Sequence, residues 1–240
     1  MSAEGVLRVP RNATRGDSPP GGGDRGGGDW DGSDRDGEEW PGGYRLAAVD
    51  PKVHRVLDRL LADAAAHDAA EPDRLRRWRV LEPDAGALLG FLVRLTRARE
   101  AVEIGTSQGA STLVLAEALA GTGGHLTSVD TGLQAGARDR IDEAGLTGRV
   151  TFLRGDGGGL LAGWPDGSLD LLFLDAERTE YASWWPHPTR VLHPGGLLAV
   201  DNALSHAAEV APLAERLDAE PGVHTVTVPV GKGVLLAFRS

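Results

Sequence analysis

From Leu46 onward, apolar and polar positions alternate in two regular rhythms, one of helices and one of strands. Asp50-Pro51 reads as a helix start, with Asp as the cap and Pro at the first helical position. Val53, Val56, Leu57, Leu60 and Leu61 then recur at helical spacing. A second helix is predicted from Asp84 through Leu88, Leu89, Leu92, Val93 and Leu95 to about Arg97. Beyond it, short apolar runs (101–104, 125–129, 150–153, 169–174 and 197–200) read as strands. Helical segments are predicted between and after them at 111–120, 134–144, 181–191 and 207–219, with only a short Gly-rich turn after 153. Near 230 the rhythm changes: 223–228 and 234–238 are two strands joined by a turn holding Gly231-Lys232-Gly233.

Alternating short apolar strands and helices predict an α/β fold, a Rossmann-like, mostly parallel, doubly wound sheet. The last two strands predict a C-terminal antiparallel β-hairpin that inserts one antiparallel strand. The first 44 residues stand apart, with Gly21-Gly22-Gly23, Gly26-Gly27-Gly28 and scattered Asp, Arg and Pro. Such a stretch cannot bury enough apolar surface to offset its ordering entropy, so residues 1–44 read as a disordered tail. Trp30 and Trp40 are its two tryptophans. Residues 45–240 read as one domain, with no internal repeat.

Composition narrows the chemistry. The chain has no cysteine, which removes disulfides, thiolate metal sites and a cysteine nucleophile together. Its formal net charge of −10 argues against a nucleic-acid partner. No apolar run approaches the ~20 residues of a membrane span, and no signal peptide is evident. The expectation is a soluble, cytoplasmic protein without a membrane partner.

The first predicted strand ends in Glu103-Ile104-Gly105-Thr106-Ser107-Gln108-Gly109-Ala110-Ser111 and runs straight into a helix. Doubly wound sheets bind ligands at this first strand-to-helix turn. The spacing is E-x-G-x-x-x-G, not the dinucleotide G-x-G-x-x-G, which argues against a nicotinamide oxidoreductase. Glu103 would repel a pyrophosphate and attract the cationic amino-acid end of S-adenosylmethionine. Asp130 ends the second strand, where an acid can hold ribose hydroxyls, and Asp156 follows the third, placed for an adenine edge. Asp175 ends the fourth strand, and Asp201-Asn202 the fifth. Two carboxylates and an amide are hard oxygen donors suited to Mg²⁺, Mn²⁺ or Ca²⁺. Such an ion could acidify and orient a hydroxyl. The same acids also read as helix caps or as cofactor contacts alone.

Over about Leu81 to Ser240 these motifs resemble the cation-dependent O-methyltransferases of the catechol and caffeoyl-CoA type, in their bacterial branch. The shared elements include Glu103-Ile-Gly-Thr, Ser111, Gly155-Asp156, Phe173-Leu174-Asp175-Ala176, Tyr181 and Asp201-Asn202. The resemblance implies methyl transfer from S-adenosylmethionine to a hydroxyl of a small, catechol-like or other molecule. It implies Glu103, Gly105, Thr106, Ser111, Asp130 and Gly157 at the cofactor, and Asp175, Asp201 and Asn202 as ligands of a divalent cation of the Mg²⁺ kind, with Asp175 also facing the cofactor. It suggests a homodimer.

Two departures matter. Ala110 stands where the family usually has Tyr, and Asp175-Ala176-Glu177-Arg178 where it has Asp-Ala-Asp-Lys. That Lys is the family's supposed base, and an arginine does not deprotonate. Arg178 is left an electrostatic role. His206 is a second candidate base, although Ser205-His206 also reads as a helix start. Two alternatives therefore stay open: a metal-independent small-molecule methyltransferase, and an S-adenosylmethionine-binding protein with little catalysis. Trp184-Trp185 is either an aromatic pocket wall or a pair split between core and surface.

Overall fold

The computed structural model describes residues 50–132 and 135–240. The predicted tail and its two tryptophans lie outside the described residues. Seven strands form one sheet: β1 (Glu100–Ile104), β2 (His125–Asp130), β3 (Val150–Arg154), β4 (Leu169–Leu174), β5 (Leu192–Val200), β6 (Val223–Val228) and β7 (Val234–Arg239). Their order across the sheet is β3-β2-β1-β4-β5-β7-β6. The first five are mutually parallel, and β7 enters antiparallel between β5 and β6.

Alternation along each strand divides the core into two layers. On β4, Leu171 and Phe173 face one layer while Leu172 and Leu174 face the other; Leu197 and Ala199 against Leu198 and Val200 do the same on β5. The first layer is covered by α1 (Pro51–Ala70), α2 (Pro83–Thr96), α3 (Ala110–Thr122) and α4 (Ala135–Ala144). The second lies under α5 (Gly157–Gly163), the 3₁₀ segment Arg178–Trp184, α6 (His187–Arg190) and α7 (Ala207–Ala219). Every residue of α3 from Ala110 to Ala116 is buried, so this helix is apolar nearly all round, as a helix covered by others must be. The Asp50 carboxylate accepts the Lys52 N–H at 2.7 Å, so the predicted cap forms.

Two expected elements change. The helix expected at 181–191 is a 3₁₀ segment followed by the four-residue α6. Pro186 supplies no N–H and holds Trp185 before it in an extended conformation, while Pro188 falls in the first turn of α6, where a missing N–H costs nothing. The Gly-rich turn expected after β3 is instead helix α5, capped by Asp156 and anchored by the buried Leu161. No helix among the described residues is long and apolar enough to cross a membrane.

Candidate active site

Strand order reverses between β1 and β4, and the carboxyl ends of these two strands open a crevice. Ile104 sits opposite Leu174, and Leu174 opposite Val200. The ladder continues one step further: Asp175 N–H donates to the Ile104 carbonyl at 2.9 Å, and Asp201 N–H to the Leu174 carbonyl at 3.0 Å. Asp175 and Asp201 are therefore neighbours because their strands end in register. Gly105 has φ of 110°, and a Cβ there would lie 2.0 Å from the Asp175 carbonyl oxygen, so only glycine lets the two strand ends meet.

Beside Gly105 lies a cavity of about 340 Å³, in the range of small-molecule pockets. Its wall includes Gly105, Ser107, Asp130, Asp156, Asp175 and Trp184. Gly157 also lines it and packs so closely on Ile104 that a Cβ would fall 2.5 Å from the isoleucine side chain. Glu103, Thr106 and Ser111 are buried and do not line the cavity. Thr112 and Ser128 each donate to the Glu103 carboxylate at 2.6 Å, and Thr106 and Ser128 share a hydrogen bond of 2.7 Å. The other Glu103 oxygen is buried with no hydrogen-bond partner. Burial raises its pKa to about 7 against the Ser111, Ser128 and Thr112 hydroxyls, which lower it, and the Asp130 charge adds to the rise.

Asp130 accepts the N–H groups of Thr106 and Ser107 at 3.1 and 3.0 Å on one oxygen and that of Gly132 at 2.9 Å on the other. It thus fastens the Gly turn as well as facing the cavity. Asp156 caps α5 through Gly159 N–H at 2.6 Å. Trp184 is buried against Tyr181 and lines the cavity, while Trp185 is half-buried, so the tryptophan pair is split.

At the inner end, Asn202 adopts φ of 64°, a left-handed conformation that Asn tolerates. Its amide nitrogen donates to Asp201 at 2.9 Å and to Asp175 at 3.2 Å. The second Asp201 oxygen is buried without a partner. Burial, then the charge of a neighbouring carboxylate, pushes both aspartates well above the usual carboxylate range. A pair of neighbouring carboxylates, Asp201 buried and partly unsatisfied and Asp175 half-buried, fits a bound cation. Among the described residues no group of three or more His, Cys, Asp or Glu gathers for a metal, so the protein would offer two carboxylates and one amide. The Asn202 amide would have to turn to bring its oxygen, now 3.5 Å from the Ser205 hydroxyl, toward the ion.

Arg178 donates to Glu209 at 2.7 Å and is nearly buried, tied to α7. His206 occupies the cap position of α7, yet its side chain makes no capping bond and instead meets the Ser205 hydroxyl at 2.9 Å. Burial and the charge of Arg178 hold its pKa below the usual histidine value. Ala176 N–H donates to the Tyr181 hydroxyl at 2.6 Å, which steadies the segment after Asp175. Several contributors escaped the sequence: Thr112 and Ser128 under Glu103, Glu177 and Glu180 on the cavity wall, and Glu82 and Lys232 beside the aspartates. Ser128 was not singled out by the sequence, since its strand also carries His125 and Thr127.

Comparison with known proteins agrees with this architecture. The chain matches the O-methyltransferase family over residues 54–240 and belongs to that family. A Mycobacterium sp. (strain KMS) protein bearing the O-methyltransferase name is 32% identical over 214 residues, 83% of this chain and 97% of the relative. Caffeoyl-CoA O-methyltransferase 2 of Petunia hybrida is 28% identical, over 68% of this chain and 78% of its own. The crystal structure of a Bacillus cereus O-methyltransferase in complex with SAH superposes with a TM-score of 0.65 at 25% identity, covering 78% of this chain and 91% of that one. The chain is thus a methyltransferase by family.

Proposed function

We propose that the protein transfers a methyl group from S-adenosylmethionine to a hydroxyl of a small molecule, with a divalent cation assisting at Asp175, Asp201 and Asn202. The observation that carries this reading is the meeting, at the reversal point of the sheet, of an acid-lined cavity with two adjacent carboxylates, Asp175 on the cavity wall and Asp201 buried behind it. S-adenosylmethionine supplies an electrophilic methyl on a sulfonium, and a divalent cation supplies an acidified, fixed hydroxyl. The B. cereus relative's complex with SAH supports the cofactor assignment.

The residues divide the work by position. Glu103, with one unpartnered oxygen, suits the cofactor's ammonium. Asp130 faces its ribose, and Asp156 and Trp184 its adenine. Asp175, Asp201 and Asn202 hold the acceptor end, so the hydroxyl oxygen is presented to the methyl in a fixed line. As the O–CH₃ bond forms and the S–CH₃ bond breaks, the hydroxyl proton must leave. His206, kept neutral, is suited to accept it, while Arg178 stays charged and stabilises the developing oxyanion.

Calorimetric titration of S-adenosylmethionine and then Mg²⁺ into wild type and Asp201→Ala tests this. Wild type is expected to bind both, and the variant to keep S-adenosylmethionine but lose Mg²⁺. Absence of S-adenosylmethionine binding to wild type overturns the reading. If Mg²⁺ binds neither protein, metal assistance falls and the metal-independent form of the reaction stands.

A further inference from the structure

The chain carries a net charge of −10, yet cationic side chains surround the acceptor end of the site. Arg79 arrives from the segment between α1 and α2, Arg178 from the 3₁₀ segment and Lys232 from the β6–β7 turn. Arg79, Arg178 and Lys232 all act on His206. Arg178 is spoken for by Glu209, but Arg79 forms no ion pair among the described residues.

Lys232 is held with more structure than a surface lysine needs. Its turn is closed by Gly233 N–H on the Val230 carbonyl at 2.8 Å. The Lys232 carbonyl accepts both Leu204 and Ser205 N–H at 3.0 Å, which joins the turn to the loop after Asn202. On the other side, Gly231 N–H donates to Asp84 at 2.7 Å, which joins the turn to α2. The ammonium pairs with Glu82 at 2.6 Å, and the lysine side chain as a whole is 35% exposed. An ammonium has three donors, and that pair uses one. With Ala203 N–H also donating to the Gly233 carbonyl at 2.8 Å, these backbone bonds seat the turn and its Lys232–Glu82 pair against the loop that follows Asp201 and Asn202.

We propose that the acceptor is an acid, a small hydroxylated molecule carrying a carboxylate, and that Lys232 recognises that carboxylate. The proposal rests on the O-methyltransferase reading for where the hydroxyl goes. With the hydroxyl at Asp175 and Asp201, the far end of a compact acceptor reaches outward to the cationic rim. There, a carboxylate gains charge-assisted hydrogen bonds from donors already held in place. A neutral acceptor would leave those donors to water, and a cationic one would be repelled.

The experiment is equilibrium binding of 3,4-dihydroxybenzoate and of its methyl ester to the full chain loaded with S-adenosylhomocysteine, with methyl transfer followed separately. Wild type is expected to favour the acid by about tenfold. In Lys232→Met the preference collapses toward unity, and Lys232→Arg restores most of it. Melting curves show that the variants fold. Equal or tighter binding of the ester, an undiminished preference in Lys232→Met, or binding of neither compound overturns the proposal. A retained acid preference without methyl transfer to either compound supports acid recognition and overturns the methyl-transfer reading alone.

Discussion

Glu103 is a carboxylate surrounded by hydroxyls and protein, with no cation beside it. Its raised pKa makes it a source of pH dependence. Between about pH 4.5 and 7 the folded chain holds a proton that the unfolded chain releases, so stability is full below that window and is lost as pH rises through it. The loss is on the order of 3 kcal/mol for a shift of this size. Glu103→Gln removes the charge while keeping the shape. Its melting temperature is expected to fall less between pH 5 and pH 8 than that of wild type, and its S-adenosylmethionine affinity to drop about tenfold or more. Unchanged affinity, read by calorimetry, would remove Glu103 from the cofactor site.

At this scale the sequence was legible where chemistry follows directly from a strand end. Glu103, Asp130, Asp175 and Asp201 each stand at the close of an apolar run, and a parallel sheet brings such ends to one edge. Thr112, Ser128 and Lys232 were not legible, because what places them is register, helix face and the path of a distant hairpin. Asp156 was legible as an acid after β3 but not as the cap of a helix, since three glycines in a row argue for a turn until their cap and the leucines beyond them are seen packed.

Among the elements, the opposite edge of the sheet has its own tie. Asp170 at the start of β4 accepts the N–H groups of Arg99 and Glu100 at 2.8 Å each and meets His193 of β5 at 2.6 Å. Burial alone would raise the Asp170 pKa, but these donors outweigh it and hold it below the usual value. The bond to Asp170, and then the Pro194 carbonyl, hold His193 above its usual value. The aspartate's share is present above about pH 4 and lost as pH falls through its depressed pKa; the histidine's is present below about pH 6.5 and lost as pH rises through its raised one. Asp170→Ala is expected to cost about 2 kcal/mol by denaturant unfolding while cofactor binding is untouched. A change in cofactor affinity would mean that this edge and the site are coupled. The element that the sequence misread, 181–191, shows the limit of periodicity: Tyr181, Trp184 and Val191 all reach the core, but the prolines make them do so without a continuous helix.

For the whole molecule, the three acids at the crevice, two buried and one half-buried, pull in one direction. Glu103, Asp175 and Asp201 all have raised pKa values, so the ligand-free fold is expected to be more stable near pH 5 than near pH 8. A divalent cation held at Asp175 and Asp201, as proposed, would offset their charge where they are ionised. Saturating Mg²⁺ is expected to raise the melting temperature by roughly 5 °C or more at pH 8 and by less at pH 5.5, and to do neither in Asp201→Ala. An equal rise at both pH values in wild type and variant would place the ion elsewhere. The parallel sheet and its two layers were readable from the alternation of strands and helices. The crossing of Lys232 to the site was not, because it depends on the hairpin folding back between elements distant in sequence.

That hairpin also bears on how the chain folds. Until β7 arrives, Leu197, Leu198, Ala199 and Val200 of β5 form an open apolar edge, the kind of template on which nascent chains stick to one another. The strand that covers this edge enters together with the turn that carries Lys232. The step that protects a folding intermediate from aggregation is therefore also the step that seats Lys232 against the loop after Asn202, and a slow hairpin would delay both by the same interval.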